Sequence, residues 1–326
     1  FYWKHDETEY GVNLIPFGGY VKIHGENPDE GSTSGSDAHR SFINKPRWKQ
    51  VMVLVAGVTF NFLFAWILYS GAFMFGVTTT NSGSFEAYAD RFTDERIMIT
   101  YVNSGSPAEI AGLEVGDAIT GISSTALDKT ADLITVKGIQ QAISSAQSAP
   151  ITIAVNRGDE LIEKVVTPVQ GIVDGTYAIG IAMNKVGDLR LPFFSSIQEG
   201  GRYTLIMMRE TTVGLYTFFV NIFRGSANFT DVAGPIGIAG IVGDAAGLGF
   251  TYLIMITALI SINLGVINLI PFPALDGGRT LFVLIEGIIR RRIPMKLTNT
   301  VNTVGFVLLM LLMIVVTYKD VIKLVK

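Results

Sequence analysis

Between Asp244 and Asp276 the chain carries no charged residue, and this run closes on Asn268-Leu269-Ile270-Pro271-Phe272-Pro273-Ala274-Leu275-Asp276-Gly277-Gly278. About 20 helical residues cross a bilayer, so the run is long enough to span one with residues to spare. Pro271 and Pro273 cannot continue an ordinary helix, and the backbone is expected to unwind just before Asp276. Irregular backbone at membrane depth persists only where it is buried in protein or lines a wet cavity. A carboxylate there costs roughly 2.5–3.5 kcal/mol on insertion scales unless something pairs with it. Taken alone, such an Asp reads equally well as an acid marking the water end of a helix.

Bulk properties narrow the field. Hydrophobic residues make up 49% of the chain and charged residues 16%, with mean hydropathy +0.42, too apolar for a purely soluble protein. A net charge of −3, with no basic stripe interleaved with aromatics, argues against a nucleic-acid partner. The absence of cysteine excludes disulfides and thiolate chemistry. The chain opens Phe1-Tyr2-Trp3-Lys4, without an initiator Met or a signal-like stretch, and reads as a fragment that has lost its N-terminus.

Three spans are predicted. The first covers residues 51–77 and contains Gly57-Val58-Thr59-Phe60-Asn61, where a small residue allows close helix approach and the Asn needs a hydrogen-bonding partner. The second covers 250–278 and delivers Asp276; the third covers 301–318 and reads as an anchor without a polar motif. Lys4, Lys22, Arg40, Lys45, Arg47 and Lys49 precede the first span, and Arg279, Arg290, Arg291, Arg292 and Lys296 lie between the second and third. Both segments read as cytoplasmic, which leaves residues 78–249 outside. Lys319, Lys323 and Lys326 pull weakly the other way.

The N-x-x-P-x-P-x-L-D-G-G pattern resembles the site-2 protease family, and within it the bacterial zinc metalloproteases of regulated intramembrane proteolysis. That resemblance implies that Asp276 is the third zinc ligand and that Asn268 helps hold the substrate backbone. Pro271, Pro273, Gly277 and Gly278 would frame the site, with Gly57 and Asn61 beside it. Where the family has A-G-P-x-x-N-F, this chain has Val58 in place of Pro. The family's other two ligands and its general-base Glu lie in an H-E-x-x-H motif on a preceding helix. Here the only histidines are His5, His24 and His39, and no pair has the i, i+4 spacing. The catalytic Glu is therefore unidentified, the chain as given is expected to be inactive alone, and the full protein is expected to have four spans. Within residues 1–50, Gly18-Gly19-Tyr20-Val21 is similar to the family's membrane-re-entrant β-loop, whose strand edge would pair with an unwound substrate.

The external region divides in two. Residues 97–169 alternate short β-type runs with turns around Ser106-Pro107-Ala108-Glu109-Ile110-Ala111-Gly112-Leu113-Glu114-Val115-Gly116-Asp117-Ala118-Ile119, which resembles bacterial PDZ domains. Ile139, Ala142, Ile143 and Ala146 form one helical stripe. Residues 193–249 read as an interfacial helix, interrupted by Arg209 and Glu210, followed by a loop at Gly234-Pro235-Ile236-Gly237-Ile238.

The expected fold is a polytopic α-helical membrane protein with an inserted extracytoplasmic PDZ domain of α+β type. The expected activity is that of an intramembrane zinc endopeptidase acting on membrane-spanning substrates, anti-sigma factors or remnant signal peptides. The bilayer and a peptide or substrate ectodomain at the PDZ groove are the other expected partners. The expected location is the cell membrane, with the zinc site toward the cytoplasm. The alternative is a non-catalytic membrane PDZ scaffold descended from such a protease.

Overall fold

The computed structural model describes residues 2–5, 8–11, 23–25, 35, 38–80, 83–123, 135–158, 160–173, 175–226 and 233–325. In chain order the first elements are β1 (Tyr2–His5), β2 (Thr8–Gly11), α1 (Arg47–Phe75), β3 (Val77–Thr80), β4 (Phe92–Val102), α2 (Pro107–Ile110), β5 (Ala118–Ser123) and α3 (Val136–Ser145). There follow β6 (Ile151–Arg157), β7 (Glu160–Val166), β8 (Val169–Val173), β9 (Thr176–Ala178), β10 (Ile181–Leu189) and α4 (Phe193–Phe223). The chain closes with α5 (Pro235–Leu248), α6 (Phe250–Leu269), α7 (Asp276–Ile289) and α8 (Met295–Val325). Two compact units emerge: Phe1–Phe62 with Asn228–Gly234 and Asn263–Lys326, and Leu63–Ala227 with Pro235–Ile262.

Among the described residues three helices are long and apolar enough to cross a membrane: Arg47–Phe75, Phe250–Leu269 and Met295–Ile322. Their limits differ from those predicted, for local reasons. α6 stops at Leu269 because Ile270 precedes Pro271, and a residue before proline is pushed out of the α region. Gly76, at φ +108°, ends α1 two residues before the expected limit. α8 continues through Lys319 and Asp320 because charge does not break a helix that no Gly or Pro interrupts there. The Gly234-Pro235 segment, expected as a loop, instead starts α5, with Pro235 in the first turn where its missing N–H costs nothing.

In the second unit a six-stranded antiparallel sheet runs in the order β3-β10-β4-β5-β6-β7, so it draws on residues on both sides of 97–169. Ile99, Ile139, Ile151, Ile153 and Val155 are wholly buried in its core. Each contributes about 1.5–3 kcal/mol by leaving water. The predicted stripe of α3 is buried at Ile139, Ala142, Ile143 and Ala146. α2 starts at Pro107 behind Ser106, whose Oγ accepts from the Glu109 amide, and Gly112 at φ +78° turns the chain out of it. Asp117 is fully buried and compensated: Arg157 donates to both its oxygens at 2.8 and 2.9 Å, and the Glu114 amide at 2.9 Å.

In the same unit α4 packs on the latter half of α1. The Trp66 indole N–H donates to the Ile197 carbonyl at 2.8 Å, and the Tyr203 ring meets Tyr69 and Phe73 edge-on at 4.9 and 5.8 Å. Gly200 has no room for a Cβ beside Ser70. The other unit is built from the start of α1, the end of α6, and α7 and α8. Phe42, Leu54 and Val283 are its small buried cluster, and Arg47 bridges to Glu286 at 2.9 Å.

Candidate metal centre

Asp276 is the first residue of α7, and the chain reaches it through a tight loop. The Ile270 amide donates to Ile267 at 3.1 Å, Phe272 to Ile270 at 2.7 Å and Leu275 to Phe272 at 3.2 Å. Ala274 has φ +73°, a left-handed conformation that costs a non-glycine residue about 1–3 kcal/mol and persists only where its surroundings enforce it. One such restraint is Asn302 on α8, whose Oδ1 accepts from the Ala274 amide at 3.3 Å. Gly305, one turn further along α8, lies so close to Pro273 that an added Cβ would stand 2.5 Å from the Pro273 Cβ.

The glycine pair after Asp276 has a steric cause. Both residues are buried. A Cβ on Gly277 would collide with the carbonyl oxygens of Leu269 and Ile270, and one on Gly278 with that of Phe272. Only glycine lets the head of α7 rest on the unwound end of α6. The carboxylate of Asp276 is thereby fixed by backbone contacts rather than by its own bonds. It is half-buried, and among the described residues it takes part in no hydrogen bond or ion pair; only its main-chain carbonyl is engaged, by Thr280 Oγ1 at 2.8 Å. The side chain of Asn268, also half-buried, has no partner among the described residues either.

The remaining predicted positions fall out differently. Pro271 and Pro273 lie in the loop. Asn61 is half-buried and engaged. Gly57 is exposed, and nothing lies within 4 Å of the point a Cβ would occupy, so the close helix contact expected there is absent among the described residues. That contact occurs instead at Gly265, where an added Cβ would stand 2.6 Å from the Phe62 ring. Gly18, Gly19, Tyr20 and Val21 lie outside the described residues. Among the described residues no three His, Cys, Asp or Glu side chains come together to hold a metal. Sequence reasoning misses Asn302 and Gly305, although Asn299, Asn302 and Gly305 recur at intervals of three on one face of the helix.

The sequence profile of Peptidase family M50, the site-2 protease family, matches residues 1–312, a stretch that includes the whole loop. The chain belongs to Peptidase family M50. Its relatives in the family agree in description. It is 35% identical over 320 residues to a putative zinc metalloprotease of Clostridium perfringens, covering 98% of this chain and 85% of the relative. It is 30% identical over 323 residues to a putative zinc metalloprotease of Clostridium acetobutylicum, covering 98% and 84%. It is also 32% identical over 288 residues to the zinc metalloprotease RasP of Shouchella clausii, covering 87% and 62%. Family membership and the three apolar helices together make this M50 member a membrane protein. The M50 family implies zinc, and Asp276 fits one position of such a site: a hard oxygen donor, held rigidly, half-buried, and not committed to any described side chain.

Proposed function

We propose that this chain is part of an intramembrane zinc endopeptidase in which Asp276 is a metal ligand and Asn268 orients the substrate backbone. The observation that carries this reading is the glycine-clamped loop that presents an uncommitted carboxylate at the end of an apolar helix. Zinc, when bound there, supplies Lewis-acid activation of water and of the scissile carbonyl. The chain's own residues fix the position of Asp276 through Gly277 and Gly278, and offer the Asn268 amide as donor and acceptor to an extended peptide. The two further donors and the general base are assigned to an H-E-x-x-H helix upstream of Phe1, and the face at Gly57, open among the described residues, would give such a helix a place to pack. The Gly18–Val21 segment is proposed to contact the substrate, as the family resemblance implies. Membrane-spanning regulatory proteins, such as anti-sigma factors, or remnant signal peptides are the proposed substrates. The cell membrane is the proposed location, with the metal toward the cytoplasm.

The sheet is proposed to be a PDZ domain that filters substrates outside the membrane, with α4 lying at the interface. Two features support a groove. β10 pairs with β4 from Ile181 to Leu189, but on its other edge β3 covers only Val186–Leu189. Among the described residues this leaves the edge over 181–185 unpaired, preceded by Gly180 at φ +85°, and a peptide strand added there would gain main-chain hydrogen bonds.

The decisive experiment is Asp276→Asn in the complete protein, measuring bound zinc by atomic absorption and cleavage of a membrane-spanning reporter. Both are expected to fall together while expression and melting temperature hold. Normal zinc content with normal cleavage would falsify the assignment. Normal zinc binding is also unattainable if no H-E-x-x-H is encoded upstream, an outcome that returns the protein to the non-catalytic scaffold reading.

A further inference from the structure

Within the unit that holds Asp276 there is a cavity of about 210 Å³, with no role in the chemistry above. Its floor is apolar, formed by Phe42, Leu54, Phe282 and Val283. Its walls carry three guanidinium groups, Arg47, Arg279 and Arg292, against a single carboxylate, Glu286, among the described lining residues. Arg47 is bound to Glu286 at 2.9 Å, and Glu286 also accepts from the Ile293 amide at 2.9 Å, so that carboxylate is used up internally. Among the described residues Arg292 donates only to neutral acceptors, the Ile43 carbonyl at 3.4 Å and Asn44 Oδ1 at 3.1 Å. Asn299 and Asn302 add neutral hydrogen-bonding groups to the wall. The N-terminal ends of two membrane-crossing helices, α1 at Arg47 and α8 at Met295, both border the space and contribute positive dipole ends.

We infer that this cavity binds the phosphate headgroup of an anionic phospholipid. A cationic wall over an apolar floor matches a phosphate ester attached to a hydrocarbon body, and basic pockets beside membrane helices take such headgroups. A second observation favours a lipid over a soluble phosphate. On α7, opposite the cavity-lining Phe282, Val283 and Glu286, the side chains of Leu281, Leu284 and Ile288 are exposed at helical spacing. α7 thus lines the headgroup site with one face and offers an apolar face on which acyl chains can lie. Asn302 both lines the cavity and holds the Ala274 amide, so the occupant would sit one hydrogen bond from the loop that carries Asp276. The inference rests on α1 and α8 crossing the membrane and not on the metal.

The test uses the full chain, purified in detergent and stripped of lipid, titrated with fluorescent phosphatidylglycerol and with phosphatidylcholine bearing the same label. Phosphatidylglycerol is expected to bind at least about tenfold more tightly, and Arg292→Gln to weaken it about fivefold, the worth of one surface cation near an anionic lipid. Asn299→Asp, which adds a negative charge to the wall without touching a guanidinium, is expected to weaken it by a similar factor, whereas Arg292→Lys is expected to stay within about twofold. Melting curves of each variant separate these effects from unfolding. Equal binding of the two lipids, or no change on either Arg292→Gln or Asn299→Asp, overturns the inference. Displacement of the labelled lipid by inorganic phosphate or glycerol 3-phosphate at submillimolar concentration also overturns it, because the occupant would then be a soluble phosphate compound. Zinc content is measured in the same samples, so failure of the lipid site and failure of the metal assignment are read independently.

Discussion

In the β-sheet, position is set by bulk: Ile99, Ile151, Ile153 and Val155 each fill space that several neighbours also fill, so no single atom is indispensable. At the Asp276 loop it is set by the absence of bulk, at Gly277, Gly278 and Gly305, where main-chain atoms occupy the space a side chain would need. The first kind of order degrades gradually as methylenes are removed. The second fails at one added carbon, because carbonyl oxygens in a helix end cannot swing aside as a side chain can. A membrane helix end has little hydrophobic driving force to spend on packing, so close backbone fit is the means left to place a carboxylate.

The largest expected effect comes from adding that carbon. Gly277→Ala should displace Asp276 and lower zinc affinity and cleavage by roughly 10–100-fold, the range seen when the support of a metal ligand is disturbed. Thermal unfolding of the sheet, followed by its near-ultraviolet signal, should stay unchanged; loss of both together would mean that the two regions do not differ as described. Next, Arg157→Ala leaves the buried Asp117 without its ion-pair partner and with only the Glu114 amide among its described hydrogen bonds, at a cost of about 3–5 kcal/mol in sheet stability. The measure is denaturant unfolding, with zinc content as the control that should not move.

Smaller is Ile153→Val, expected to cost about 0.5–1.5 kcal/mol, with cleavage retained; a larger loss would make the sheet as intolerant as the loop. Of comparable size is Tyr88→Phe, which removes the hydroxyl that donates to the buried Glu199 at 3.2 Å and is expected to cost about 1 kcal/mol. Burial, and then the Glu199 charge, push the Tyr88 phenol above its ordinary pKa of 10.0. The fold therefore favours the neutral phenol. Its contribution is complete below the unfolded pKa and is lost as pH rises through the higher folded one. An ultraviolet titration should show one fewer late-ionising tyrosine in the variant than in the wild type.

What the sequence could reveal follows the same division. The loop motif was legible because prolines and glycines act locally: Pro271 ends a helix and Gly277 allows an approach whatever surrounds them. The stripe of Ile139, Ala142, Ile143 and Ala146 was legible for the same reason, as helical spacing is a local property. Contacts that close over long stretches were not. Arg157 meets Asp117 across 40 residues, and β10 inserts between β3 and β4 from nearly the far end of the region. Asn302 reaches Ala274 from the helix after next, and nothing in a mostly apolar span identifies the residue it serves. At Gly234-Pro235 the local signal was ambiguous in principle, since proline suits both a loop and the first turn of a helix.

One joint has a mechanical consequence. α1 passes into β3 through the single residue Gly76, and the chain leaving β10 is fastened back onto the same helix end, Arg190 Nε to the Met74 carbonyl at 3.1 Å and the Leu191 amide to the Phe73 carbonyl at 2.9 Å. A sheet hung on a long tether would swing and absorb any pull as slack. Here both strands of the β3–β10 pair are riveted at the same end to one helix terminus, so a load on the edge over residues 181–185, unpaired among the described residues, is delivered as force and torque to the end of α1.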